Sequence, residues 1–195
     1  MENINFILPE IFILTSILFL LIVGVFKKKS SSLVYSLSII SLVIVLSLII
    51  NTPLNKEIYL FSDSYKIDRL SFFMKIITII SGIFVLIISY NYLKITKIFS
   101  IEYPILILCS ILGMMVMISS YDLIVFYIGL ELQSLALYVL AAFNRDQKKS
   151  SEAGLKYFVL SALSSGLLLY GCSLIYGFSE STNFSLISAD IVATD

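Results

Sequence analysis

The stretch FYIGLELQSLALYVLAAF, residues 126–143, is apolar enough to cross a lipid bilayer, yet it carries a carboxylate, Glu131, near its middle. An ionised side chain at that depth costs about 2.5–3.5 kcal/mol on insertion scales. On a helix, Glu131 shares its face with Tyr127, Ser134 and Tyr138, whose hydroxyls can hydrogen-bond a carboxyl group. Glu131 is therefore either a structural glutamate that hydrogen-bonds between helices or a protonatable relay, and intramembrane carboxylates favour the relay.

The composition of the whole chain is that of an integral membrane protein. Hydrophobic residues make up 59% of the sequence and charged residues 13%, and the mean hydropathy is +1.02. The net charge of zero gives no footprint for nucleic-acid binding. Histidine is absent and no CxxC spacing occurs, which argues against a metal or iron–sulfur site. Cys109 and Cys172 are interpreted as buried thiols, although two cysteines also permit a disulfide.

Apolar runs long enough to span a bilayer predict an all-α polytopic bundle in a single membrane domain, 1–195. The predicted helices are 6–26, 33–50, 70–90, 104–119, 122–143 and 154–178, followed by a polar external tail, 179–195. Between the second and third helices, alternating polar and apolar residues in the 51–69 loop predict a small external β-hairpin. Asp122 is predicted to cap the fifth helix.

The distribution of basic residues predicts the orientation of the bundle. Eight lysines and arginines lie in alternate connections: Lys27, Lys28, Lys29, Lys94, Lys97, Arg145, Lys148 and Lys149. Three others, Lys56, Lys66 and Arg69, share the 51–69 loop with three acidic residues. The eight are expected to face the cytoplasm or mitochondrial matrix, and the 51–69 loop and both termini the opposite side. The first apolar run is interpreted as a retained span rather than a cleaved signal peptide.

Lys156 is the second candidate for proton chemistry. The sixth helix is predicted to begin at an N-cap, Ser150 or Ser151, with Glu152 in its first turn. Lys156 then lies about two turns inside, where it either extends to the membrane surface or forms a proton-handling pair with Glu131. Lys75, near the outer end of the third helix, is expected to extend to the membrane surface.

Two further patterns are given structural interpretations. Pro9 and Glu10 are interpreted as start signals of the first helix. Small residues recur at four-residue spacing on the sixth helix, which predicts close packing against another helix. These small residues are Ser161, Ala162, Ser165 and Gly166.

Two segments carry a resemblance to a known family. GMMVMISSYDLIVFYIGLELQSLALYVLAAF (113–143) and SSEAGLKYFVLSALSSGLLLYGCSLIYG (150–177) resemble the subunit 2 family, the antiporter-like membrane subunits of proton-pumping NADH:quinone oxidoreductase, respiratory complex I. The DRLSFFMK entry to the third helix and the GFSESTNFSLI segment are similar to that family too, so the resemblance covers nearly the whole chain.

The resemblance implies a fold, a function and site residues. The chain would form the N-terminal part of the antiporter-like fold and contribute to a proton pathway coupled to NADH:ubiquinone electron transfer. Glu131 matches the fifth-helix glutamate of the family and Lys156 its sixth-helix lysine. In the family the glutamate is thought to pair with a lysine on a broken seventh helix. No redox site is implied in this chain, since FMN, iron–sulfur clusters and ubiquinone belong to other subunits.

The sequence also departs from the family, because the segment with the seventh-helix lysine and the second repeat does not appear in it. The chain is therefore expected to be the N-terminal half of a split subunit, with a separate chain carrying the C-terminal half. Two alternatives are a subunit of a multisubunit cation/proton antiporter and a purely structural membrane-arm subunit. The lysine-rich, tryptophan-free composition favours an organelle, hence the mitochondrial inner membrane, with a bacterial inner membrane as the alternative.

Overall fold

The computed structural model describes residues 6–26, 31–52, 57–96 and 98–194 and confirms a helical bundle with one small hairpin. The helices and strands are α1 (Leu8–Phe26), α2 (Ser31–Ile50), β1 (Ile58–Leu60), β2 (Tyr65–Ile67), α3 (Arg69–Ile95), α4 (Glu102–Ile118), α5 (Leu123–Ala141), α6 (Lys148–Ser179) and α7 (Phe184–Thr194). Of the predicted basic residues, Lys27, Lys28, Lys29, Lys56 and Lys97 lie outside the described ranges.

Five described helices, α1, α2, α3, α5 and α6, are long and apolar enough to cross a membrane. α4, the fourth predicted span, has 17 residues, which corresponds to a length of about 25 Å against a hydrocarbon core of about 30 Å. The five longer helices have between 19 and 32 residues, so α4 is the shortest of the six predicted spans.

The buried core of the described chain lies among the first four helices. Ile13 of α1, Leu42 of α2, Ile79 of α3 and Leu108 of α4 are fully buried in one continuous apolar cluster. By contrast, Gly154 is the single buried residue of α6. α5 and α6 therefore extend from a well-packed four-helix unit, and α6 presents most of its apolar surface outward.

Two predicted boundaries at the second half of the chain were wrong. α6 begins at Lys148, and its N-cap is Gln147, which makes no capping hydrogen bond through its side chain. Ser150 lies inside the helix and donates instead to the carbonyl of Ala141, 2.9 Å away, which joins α6 to the end of α5. The 179–195 segment, predicted as a polar tail, contains the helix α7.

The predicted hairpin is present. β1 and β2 pair antiparallel, with Leu60 opposite Tyr65 and Ile58 opposite Ile67. Asp68 then caps α3: its carboxylate accepts from the backbone of Ser71 at 2.7 Å, and the Ser71 hydroxyl accepts from the backbone of Asp68 at 2.9 Å. This reciprocal pair satisfies two backbone N–H groups at the start of α3.

Three connections meet at one end of the bundle, which we call the hairpin end: residues 58–68, 119–122 and 180–183. Lys66 N–H donates to the carbonyl of Ser119 at 2.8 Å and Tyr121 N–H to that of Ser64 at 2.9 Å. The Asn183 amide reaches the carbonyl of Asp63 at 2.8 Å. The opposite end, which carries Arg145, Lys148 and Lys149, is called the basic end. The three connections that the orientation rule assigned to one side thus lie together.

Candidate functional site

α5 is held against α4 by a contact between two glycines. A Cβ added at Gly113 would lie 2.5 Å from the backbone nitrogen of Gln133, and one added at Gly129 would lie 2.7 Å from that of Met117. Such distances mean that the two backbones touch without side chains between them. Glu131 follows Gly129 by two residues on the same helix, so this contact fixes the position of the α5 backbone close to Glu131.

Glu131 itself carries a buried carboxylate oxygen without a partner. Among the described residues, Oε1 of Glu131 has no hydrogen-bond donor within reach. A buried polar atom left unpaired costs about 1–3 kcal/mol, and more for a charged group. The described residues therefore do not satisfy the hydrogen-bonding capacity of this oxygen.

Two of the remaining members of the predicted polar stripe, Tyr127 and Tyr138, contact α6. The Tyr127 hydroxyl lies 2.8 Å from Ser165 Oγ, and either oxygen can donate. Tyr138 is buried and makes edge-on ring contacts with Tyr157 and Phe158, at centroid distances of 4.8 and 5.8 Å. Ser134 is half-buried on the same helix. Two members of the stripe thus bind α6 to α5.

Lys156 forms an ion pair with Glu152 on its own helix rather than with Glu131. Both partners are exposed, with 67% of the Lys156 side chain accessible, so the pair contributes at most a few tenths of a kcal/mol. Within the described chain, the structure does not bring Lys156 and Glu131 together. Their roles in proton translocation stay predictions.

Of the small residues on α6 that were predicted to pack against another helix, Ser165 makes a contact and Gly166 does not. Ser165 contacts Tyr127, but a Cβ added at Gly166 would meet no atom within 4 Å. The glycine contact between α4 and α5 was not predicted. Its signal is present in the sequence, since Gly113 and Gly129 sit at matching depths on either side of the short SSYD turn.

A second charged site, which the sequence reasoning missed, lies beneath the hairpin. Lys75 Nζ of α3 lies 2.7 Å from Glu10 Oε1 of α1, and the two side chains are 5% and 7% exposed. The expectation that Lys75 extends to the membrane surface was wrong, because its ammonium has a carboxylate partner inside the bundle. Glu10 begins α1 as predicted and in addition holds α1 against α3.

Tyr65 of the hairpin completes this site. Its hydroxyl donates to Glu10 Oε1 at 2.9 Å and accepts from Lys75 Nζ at 3.3 Å. Burial, followed by the negative charge of Glu10, raises the pKa of Tyr65 well above its usual value of 10.0. Tyr65 therefore remains a neutral hydrogen-bond donor. Glu10 Oε2 is buried and has no partner among the described residues.

Among the described residues, the possible metal ligands are not grouped together and the two cysteines are not joined. No group of three or more His, Cys, Asp or Glu side chains there is placed to hold a metal ion. Cys109 and Cys172 are both free and partly buried. The disulfide that two cysteines would have permitted is not formed.

Comparison with known folds defines the class of protein. Residues 120–194 match the family described as NADH:quinone oxidoreductase/Mrp antiporter, transmembrane. A chain of respiratory complex I from Thermus thermophilus superimposes with a TM-score of 0.77 at 24% identity, over 90% of this chain and 38% of that one. A chain of an archaeal membrane-bound sulfane sulfur reductase gives 0.78 at 19% identity, over 93% and 39%. The protein therefore shares the helical fold of these two chains, and five of its described helices are able to cross a membrane.

Sequence similarity then identifies the particular relatives. NADH-quinone oxidoreductase subunit N of Pelagibacter ubique is 72% identical over 187 residues, which cover 96% of this chain and 40% of the relative. The subunit N of Bartonella bacilliformis is 50% identical over 94% of this chain and 37% of the relative. The chain is homologous to NADH-quinone oxidoreductase subunit N and spans about two fifths of the length of these curated relatives.

Proposed function

We propose that this chain forms part of the membrane arm of a proton-translocating NADH:quinone oxidoreductase, in which Glu131 takes up and releases a proton. Two observations support the proposal. The first is 72% identity over 96% of the chain to a subunit N. The second, which carries the mechanism, is the buried carboxylate oxygen of Glu131 that has no partner among the described residues.

The surroundings of Glu131 suit a residue that changes its charge. A fixed charge at mid-membrane depth is costly, whereas a carboxyl group that is neutral for part of a cycle avoids that cost. The Tyr127–Ser165 pair lies about one turn before Glu131 on the α5–α6 contact, and each of its hydroxyls can donate or accept a hydrogen bond. Lys156 supplies a mobile positive charge on α6, and its present partner Glu152 binds it weakly.

The partners and location follow from the same similarity. A separate or continuous polypeptide that supplies the remaining three fifths of subunit N would cover the exposed face of α6, and other membrane-arm subunits would surround it. FMN, iron–sulfur clusters and ubiquinone would bind to other subunits, so the oxidoreductase activity would belong to the assembly. The bacterial relatives support a bacterial inner membrane; the mitochondrial inner membrane stays a prediction.

Two alternative functions are compatible with the same fold. The matched family also includes Mrp antiporters, so a subunit of a multisubunit cation/proton antiporter would use the same fold and the same glutamate. A purely structural subunit would use Glu131 only to hold helices together. Co-purification with NADH dehydrogenase activity distinguishes the oxidoreductase from the antiporter.

The test of the proposed mechanism is the replacement Glu131→Gln in the assembled complex, reconstituted into sealed vesicles. Glutamine keeps the shape and hydrogen bonding of the side chain but cannot titrate. We expect normal assembly on native gels, with lower proton pumping and slower NADH:quinone turnover, while Glu131→Asp retains part of both. A fully assembled Gln variant that pumps at the wild-type rate and stoichiometry would rule out proton carriage by Glu131.

A further inference from the structure

A small cavity adjoins the buried ion pair at the hairpin end. It has a volume of about 20 Å³ and is lined by Lys75, Thr52, Pro9, Ile49, Ile67 and Phe72 among others. A cavity needs about 10–15 Å³ to hold one water molecule, which also requires two or more polar partners. Lys75 and Thr52 are the polar residues of the lining, and the Thr52 hydroxyl, which donates to the carbonyl of Leu48, can still accept. Glu10 is the next residue after Pro9 of the lining, and its Oε2 is buried and unpartnered among the described residues.

We propose that Glu10, Lys75 and Tyr65 form a second proton-holding site, with one buried water, at the hairpin end of the bundle. The site is distinct from Glu131, since its members lie on α1, α3 and β2 rather than on α5. The inference rests on the proposed function, because a proton that leaves the bundle on this side needs an acceptor there.

The contact geometry allows a proton to move within the site. Transfer along the 2.7 Å contact breaks an N–H bond of the Lys75 ammonium and forms an O–H bond on Glu10. The pair then consists of an amine and a carboxylic acid, and its net charge is unchanged. Because burial disfavours two charges and mutual attraction favours them, a nearby charge or added water shifts this balance. Tyr65, which contacts both partners, stays hydrogen-bonded in either state.

Three charged groups around the hairpin strands pair with one another rather than with this site. Lys66 pairs with Glu57 at 3.1 Å and lies 3.7 Å from Asp68, and these three side chains are between 20% and 58% exposed. They form a separate cluster at the surface of the hairpin. The hairpin thus carries Tyr65 in the buried site and this charged cluster at its surface.

The experiment uses the assembled complex in sealed vesicles. Glu10→Gln removes titration, Glu10→Asp keeps it, and Glu10→Gln with Lys75→Met removes both charges so that neither is left buried alone. We expect all three to assemble, the Gln variant and the double variant to lose proton release per electron, and the Asp variant to recover part of it. Glu57→Gln, the matched control in the exposed cluster, is expected to pump as wild type.

Infrared difference spectra recorded during turnover are a second measurement. They would contain no protonation signal from Glu10 if its role were purely structural. A carboxylic acid band that disappears in Glu10→Gln and shifts in Glu10→Asp would support the site, even where the double variant assembles poorly. An assembled double variant that pumps as wild type, together with spectra in which no band depends on Glu10, would overturn the inference. Glu131→Gln is measured in parallel: its wild-type behaviour would overturn the proposed function, whereas its loss of pumping beside normal Glu10 variants overturns this inference alone.

Discussion

The contact between Gly113 and Gly129 predicts a specific response to one added methyl group. In Gly129→Ala the new Cβ would lie 2.7 Å from Met117 N and 3.0 Å from Gly113 O, both backbone atoms. Ordinary contacts begin at 3.4 Å, so α4 and α5 must separate by several tenths of an ångström. A flexible side chain could turn away, but a helix backbone cannot.

The magnitude follows from two opposing effects. Overpacking of a well-packed site costs about 1–3 kcal/mol, and alanine gains up to about 1 kcal/mol over glycine in a helix interior. Because the obstructing atoms belong to the backbone, we expect a net loss of about 1–2 kcal/mol. That loss corresponds to an increase of about 5- to 30-fold in the population of the locally opened state.

Hydrogen–deuterium exchange of the assembled complex, read on peptides from α5, measures this opening. Gly177→Ala is the matched control, since a Cβ at Gly177 would meet no atom within 4 Å, and it should leave exchange in α5 unchanged. If Gly129→Ala exchanged as slowly as wild type, the backbone contact would not be what holds α5 against α4. Slower pumping in the same variant would link this packing to the position of Glu131.

Three other predictions concern different parts of the chain. Burial acts to raise the pKa of Asp68, but its hydrogen bonds with Ser71 outweigh this and lower that pKa below its usual 3.8. The stability contributed by the cap is therefore complete above pH 3.8 and lost as the pH falls through the lowered pKa; the unfolding temperature of Asp68→Asn should show less of this acid dependence. Glu180→Gly should stabilise the end of α6 by up to about 1 kcal/mol, since φ at Glu180 is 50°; faster exchange there would contradict this. Gly166→Leu should weaken association with the rest of subunit N on native gels, whereas unchanged association would mean that nothing docks on that face.

The parts of the fold that depend on local sequence were predictable. Helical spans follow from long apolar runs, and the hairpin from the alternation around its turn. Asp122 caps α5 as expected, with its carboxylate accepting from Ile124 N–H at 2.8 Å. The start of α6 was not predictable from its serines, because Ser150 bonds to the end of α5 instead of capping its own helix.

The site residues also divide into one that the sequence could identify and a pair that it could not. Glu131 could be identified because its charge contradicts the apolar run around it. The Glu10–Lys75 pair could not, because each charge lies near a helix end, where contact with solvent is the ordinary outcome. Their pairing depends on which faces of α1 and α3 turn inward, and that is decided by the packing of four helices. The signal available in the sequence was that Glu10 and Lys75 carry opposite charges near the same end of two apolar helices.

Hydrogen bonds hold α5 and α6 together at both of their ends. At the hairpin end, Asp122 accepts from Thr182. At the basic end, the Ser150 hydroxyl donates to the carbonyl of Ala141, and Gly154 lies directly against Ala142. α6 has 32 residues and is about 48 Å long. A tilt of α6 by about five degrees about the hairpin end would move its basic end by about 4 Å, and such a movement requires the hydrogen bond between Ser150 and Ala141 to break.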